Sequence, residues 1–188
     1  MDEMLLRSVL ALFFAAAVPQ FTLRDTRGGA HTGAEWAQAK AAVVFFVTID
    51  CPIGNSYVPE MNRIRDAYAS RGVAVWAVQA DPHIAEAAVV KYAENFHYGF
   101  PLLLDPGQIL VKYAGATITP QAAIFSPDGK LQYLGRIDNR VEDFGQSRPK
   151  ATVPDLRNAL DAVLAGRAPS PDRTKSVGCS IPLRDYRR

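Results

Sequence analysis

Residues 41–49, AAVVFFVTI, form an unbroken apolar run, β-branched and aromatic. A strand with one wet face alternates apolar and polar side chains, so a run without alternation needs cover on both faces. That points to the central strand of a sheet with other elements packed on either side. The run ends at a single cysteine, Cys51, followed by Pro52-Ile53-Gly54. Open α/β sheets collect their chemistry just beyond the carboxyl ends of the strands, which is where Cys51 falls.

The remaining pattern alternates strands and helices. FTLRDTRGGAHT predicts a short strand pair turned at Gly28-Gly29. A helix is expected from about Gly54 to Ser70, with Tyr57, Met61, Ile64, Arg65 and Tyr68 near helical spacing and Arg71-Gly72 at its end. VAVWAVQA reads as a strand, IAEAAVVKYAENF as a helix, FPLLLD as a short strand and GQILVKYA as a short helix. TPQAAIFSPDGKLQYLGRI reads as two strands joined by a Pro127-Asp128-Gly129 turn, and VPDLRNALDAVLAG as a helix closing on Gly166. The class is therefore α/β: a mixed central sheet flanked by helices, with an N-terminal strand extension and an extended C-terminal arm. Trp36 and Trp76 read as core, and RIDNRVEDFGQSRP as a loop or lid after the last strand.

Residues 1–18 have the layout of a secretory signal peptide: a short charged lead with Arg7, an apolar run, then Ala15-Ala16-Ala17. The alternative is an N-terminal helix packed on the domain. Residues 19–166 then make the domain and 167–188 the arm. The signal-peptide reading places the protein in the periplasm or beyond, where an oxidising compartment permits a disulfide between the two cysteines. The helix reading leaves it in the cytoplasm, and any membrane contact is confined to the N-terminal segment. A net charge of +2 is too mild to imply a nucleic-acid partner. His31, His83 and His97 are scattered without metal-ligand spacing, and there is no Cys-x-x-Cys-His haem site, so neither metal nor cofactor is expected.

Cys51 at the start of a helix would sit beside free backbone N–H groups and the positive end of the helix dipole, and both stabilise a thiolate. The bland alternative is a buried structural cysteine. Asp50 would oppose the thiolate if its carboxylate turned inward. Pro120, in ATITPQAAIF, enters an apolar strand where proline is awkward unless it shapes a special loop, such as a cis peptide.

These residues resemble the redoxin branch, the alkyl hydroperoxide reductase/thiol-specific antioxidant family, of the thioredoxin-like superfamily. The resemblance spans roughly residues 21–136. Its segment AVVKYAENFHYGFPLLLDPGQILVKYAGATITP is similar to the one before the cis-proline in membrane-anchored thioredoxin-like reductases. It implies a thioredoxin fold, and two alignments of Cys51 compete within it. In the peroxiredoxin alignment Thr48-x-x-Cys51-Pro52 matches the family motif, with Thr48 holding a peroxide. Val44 then stands where that motif wants proline, and Pro120 where it wants the arginine. In the thioredoxin alignment Cys51 is the first, nucleophilic cysteine of Cys-x-x-Cys. Pro59 matches the proline that kinks the active-site helix, and Thr119-Pro120 the cis-proline loop that faces the nucleophile and pairs with substrate backbone. Only Gly54, at the second cysteine's position, departs. This alignment explains more residues. Copper-chaperone relatives need Cys-x-x-x-Cys, and Asn55 fills their second position.

A thiolate that attacks a disulfide leaves a mixed disulfide that another thiol must resolve. Cys179, in TKSVGCSIP, is the one other cysteine in the chain. It is a redox partner of Cys51, a structural staple with it, or unpaired, and the sequence leaves the three open. The leading expectation is a thiol–disulfide oxidoreductase with Cys51 as its single active-site cysteine, at the first position of a degenerate Cys-x-x-Cys motif, and Cys179 as the candidate resolving thiol. It would act on a disulfide-containing protein and be served by an external thiol reductant. A peroxiredoxin-like peroxidase, with a peroxide substrate, is the alternative, and a redox-inactive binding module of the same fold the third reading.

Overall fold

A computed structural model describes residues 19–185. The signal-peptide or helix reading of residues 1–18 lies outside them. In chain order the elements are β1 (Thr22–Arg24), β2 (Ala30–Thr32), α1 (Ala34–Ala37), β3 (Ala41–Val47), α2 (Pro52–Ala69), β4 (Val73–Gln79), α3 (Glu86–Phe96), β5 (Leu102–Leu104), α4 (Ile109–Ala114), β6 (Ile118–Thr119), β7 (Gln121–Phe125), β8 (Leu131–Gly135), β9 (Val141–Asp143), β10 (Gln146–Ser147), α5 (Asp155–Leu164) and β11 (Cys179–Ser180). Within the described residues the main sheet has five strands in the order β5-β4-β3-β7-β8. β3 pairs in parallel with β4 and antiparallel with β7, so the sheet is mixed and β3 is its centre.

The unbroken apolar run is explained by what covers each face of β3. Ala41, Val43, Phe45 and Val47 pack with Tyr57, Val58, Met61, Ile64 and Tyr68 of α2, Val89 and Tyr92 of α3, and Leu156 and Leu160 of α5. Ala42, Val44 and Phe46 face the other way, onto Trp36, Trp76, Phe125, and Leu110 and Val111 of α4. Every residue of β3 is fully buried, because alternate side chains enter two separate cores. Trp36 stacks on Phe125 at a ring separation of 4.5 Å, and both tryptophans are core, as their sequence context implies.

The expected elements are all present, with two adjustments. α2 begins at Pro52 rather than near Gly54, because the sulfur of Cys51 accepts the Gly54 N–H and caps the first turn. The segment read as a loop or lid holds a small antiparallel pair, β9 with β10. Tyr57 of α2 anchors its base by donating to Asp138 at 2.6 Å, while the Arg140 guanidinium lies 4.3 Å over the Tyr57 ring.

The C-terminal arm is not a free tail. Leu134 of β8 donates its N–H to Asp172 O, and Thr174 donates back to Leu134 O. The Thr174 hydroxyl lies 2.7 Å from the Tyr133 hydroxyl and accepts the Arg136 N–H. The arm then runs to β6, where β11 pairs antiparallel, with Cys179 opposite Thr119 and Ser180 opposite Ile118. Beyond it, Ile181 is buried in the second core. Gln108 fastens the far end: its amide donates to Pro182 O at 2.7 Å, and its carbonyl accepts the Arg184 N–H.

Candidate active site

Cys51 stands where β3 turns into α2 and is the N-cap residue of that helix. Its backbone is extended, with φ −92° and ψ 104°, so the side chain folds back over the first turn. The Gly54 N–H points at Sγ from 3.4 Å. A negative charge on that sulfur would be favoured by this donor and by the helix N-terminus. Pro52, which has no N–H, occupies the first turn without leaving a donor unused. Pro59 sits inside the same helix.

Thr119 and Pro120 face this sulfur from the junction of β6 and β7, and the peptide between them is cis. The thiol of Cys51 donates to the Thr119 carbonyl at 3.1 Å. Thr119 is fully buried, and its own hydroxyl lies 3.4 Å from the Cys179 carbonyl. Three of the residues singled out by the sequence, Cys51, Thr119 and Pro120, are thus brought together, and β11 brings Cys179 to them.

Cys51 and Cys179 are both free thiols. The Cys179 thiol is pushed up to about 12 from its ordinary 9.0, first by burial, then by its hydrogen bond to Cys51 and by the charges of Cys51 and Asp50. Cys179 therefore holds its proton at neutral pH. Cys51 caps a helix N-terminus. It is also wholly buried, closed over by the cis-proline loop and its surroundings.

Thr48 is close in sequence but turned to another task. Its hydroxyl donates to the Asp50 carboxylate at 2.7 Å, while its carbonyl accepts the Cys51 N–H. Asp50 is exposed and bears on Cys179. Its charge adds, after burial and Cys51, to the raised pKa of Cys179.

Gly54 occupies the place of a second active-site sulfur. A Cβ built there would lie 3.5 Å from the Cys51 Cβ and 3.7 Å from its Sγ. Those are ordinary van der Waals contacts, so a Cβ at this position is not excluded by crowding.

Several supporting residues carry no obvious signal in the sequence. Asn55 donates to the Ile49 carbonyl and accepts the Tyr92 hydroxyl at 2.7 Å, which ties the turn before Cys51 to α3. Tyr92 in turn meets the Tyr98 hydroxyl at 3.2 Å. Burial raises both phenols above their ordinary value, so both remain proton donors. Gln108 is buried at a left-handed φ of 52°, where few non-glycine residues sit, and spends its amide on Ala80 O and the arm. Gly178, directly before Cys179, lies so close to Thr119 that a Cβ there would fall 2.0 Å from the Thr119 oxygen.

A mixed sheet with this order, a cysteine capping the helix after the central strand and a facing cis-proline define a thioredoxin-like protein. The chain belongs to the AhpC/TSA family, whose model matches residues 15–134. A thiol-disulfide oxidoreductase ResA from Bacillus thuringiensis subsp. konkukian is 25% identical over 113 residues, which is 60% of this chain and 64% of that relative's length. The structure is similar to that of a hypothetical protein from Sinorhizobium meliloti 1021, at 30% identity and a TM-score of 0.74, covering 88% of this chain and 92% of that one. The fold is shared with a secreted Mycobacterium tuberculosis disulfide oxidoreductase homologous to E. coli DsbE, at 20% identity and a TM-score of 0.54, covering 78% of this chain and 96% of that one.

Proposed function

We propose that the protein catalyses thiol–disulfide exchange with Cys51 as the attacking sulfur and Cys179 as the resolving one. The observation that supports this reading is the pairing of β11 with β6, which sets Cys179 opposite Thr119, the residue whose carbonyl accepts the Cys51 thiol, with both thiols free. The Cys51 thiolate attacks one sulfur of a substrate disulfide, and the other sulfur leaves with the electron pair and takes a proton from solvent. A mixed disulfide joins Cys51 to the substrate. With its sulfur in that bond, Cys51 no longer carries the charge that helps hold the Cys179 proton. Cys179 then ionises more readily, attacks Cys51 Sγ and expels the second substrate thiol. The chain is left with a Cys51–Cys179 disulfide, and an external thiol reductant returns two electrons and two protons.

The relative named as a thiol-disulfide oxidoreductase supports this reading, and a disulfide-containing protein is the substrate class it implies. Peroxide reduction has less behind it. The Thr48 hydroxyl is turned to Asp50, and Cys51 Sγ bonds to the Gly54 N–H and the Thr119 carbonyl. An extracytoplasmic location fits the leader-like residues 1–18 and the secreted M. tuberculosis protein. Among the described residues, no helix is long and apolar enough to cross a membrane.

The test uses the reduced full chain with Cys179→Ser and a small disulfide, followed by mass spectrometry. A persistent adduct on Cys51 is expected in the variant, and its conversion to an internal disulfide in the wild type. Fast oxidation of Cys51 by stoichiometric hydrogen peroxide with no reaction towards the disulfide would favour the peroxidase instead.

A further inference from the structure

The edge of β6 that faces Cys51 is already occupied by the chain's own β11. Cys179 lies opposite Thr119, Ser180 opposite Ile118, and the Ile181 N–H donates to Thr117 O at 2.9 Å. An extended segment carrying a cysteine is thus held by backbone pairing beside the nucleophile, which is how strand-addition sites bind peptides. The fit is tightest at Gly178. A Cβ there would fall 2.0 Å from the Thr119 oxygen, 2.8 Å from its carbonyl carbon and 3.2 Å from Pro120 Cδ. Two of these are backbone atoms and cannot swing aside. Two residues beyond Cys179, Ile181 is buried among apolar residues of the second core. Cys51 itself is wholly buried, so no protein disulfide reaches it while this strand is in place.

We propose that residues 178–181, Gly-Cys-Ser-Ile, occupy the strand position of the external substrate. The segment that displaces them is an extended, cysteine-bearing polypeptide with glycine directly before its cysteine and a branched apolar residue two positions after it. This rests on the exchange reading above and adds to it an order of events. The arm lifts from β6, the substrate strand pairs with Thr119, and the Cys51 thiolate attacks the substrate sulfur to form the mixed disulfide. The leaving sulfur departs with its electron pair. The arm then returns, displaces the substrate strand and brings Cys179 onto Cys51 Sγ, so that strand exchange and thiol exchange finish together.

The test uses short peptides whose cysteine is a mixed disulfide with 5-thio-2-nitrobenzoate, so attack by Cys51 on the peptide sulfur releases a coloured thiolate. One peptide carries the arm sequence SVGCSIP, and a second has alanine for its glycine. The proteins are the reduced wild type, Gly178→Ala, which ejects β11 without touching either sulfur, and Ile181→Ser, which loosens the arm away from the contact. Both variants are expected to react with the glycine peptide at least about tenfold faster than wild type, since about 1.4 kcal/mol off the arm's hold on β6 shifts its occupancy tenfold. In all three proteins the glycine peptide is expected to outpace the alanine peptide by about tenfold. Equal rates for the two peptides, or variants no faster than wild type, would overturn the proposal. Free 2-hydroxyethyl disulfide separates this from a failure of the exchange reading itself. If Cys51 ignores that small disulfide even in Gly178→Ala, the exchange chemistry is wrong. If it reacts while the peptides show no preference, only the substrate mimicry is wrong.

Discussion

Cys179 lies directly opposite Thr119 in an antiparallel ladder, and the same Thr119 carbonyl accepts the thiol of Cys51. One residue of the cis-proline loop therefore positions both sulfurs. The proposed exchange divides the labour between them: Cys51, which caps a helix, would attack, and Cys179, whose pKa is raised, would resolve.

Asp50 is part of what keeps that proton in place, after burial and the Cys51 contact. Asp50→Asn keeps a group able to accept the Thr48 hydroxyl but removes the charge. Closure of the Cys51–Cys179 bond at pH 7, followed by stopped-flow after mixing with a small disulfide, is expected to accelerate several-fold, roughly the effect of a modest fall in thiol pKa. Alkylation of Cys179 should show its midpoint moving down from about 12.

The sign of the pH dependence of stability follows from the same group. The folded Cys179 holds its proton to about 12, whereas an ordinary thiol releases it near 9.0. The unfolded chain therefore loses a proton first, so stability is intact below about pH 9 and falls as pH rises towards 12. Tyr133, pushed up to about 12 by burial, acts in the same sense. Urea midpoints of the reduced protein should decline above pH 9, and Cys179→Ser should decline less steeply.

Gly54→Cys should restore a local dithiol. The Cβ position available there is 3.5 Å from the Cys51 Cβ, at the near end of the disulfide range. Peptide mapping of the oxidised variant is expected to show Cys51 joined to the introduced sulfur and Cys179 free, with turnover surviving a further Cys179→Ser change.

The base of the β9–β10 hairpin depends on α2. Tyr57→Phe removes the hydroxyl that donates to buried Asp138 and leaves that carboxylate its Arg140 N–H. A loss of about 1.5–3 kcal/mol in urea unfolding is expected, the usual cost of a hydrogen bond to a charged group.

What could be read in advance divides along physical lines. AAVVFFVTI announces its own burial, since an apolar run without alternation has few other homes, and the two cores on either side of β3 answer it. Cys51 at a strand end and Pro120 before β7 are local signals, because helix capping and proline geometry act over a few residues. The placement of Cys179 was not local. It depends on Thr174 holding the arm to β8, Gln108 clamping it past Ile181, and a glycine flat enough to lie on Thr119. None of those contacts has a periodicity or spacing, which is why the sequence left the pairing of the two cysteines open. The β9–β10 pair was hidden for a related reason, since its strands are short and mostly exposed and carry no alternation.

The most direct measurement is a redox titration of the reduced, full-length chain against a glutathione buffer, with peptide mapping at each potential. The account predicts one two-electron transition to a species lighter by two hydrogens, in which the peptides carrying Cys51 and Cys179 are joined. Two thiols that stay free throughout, or that take up glutathione separately without ever linking to each other, would contradict it.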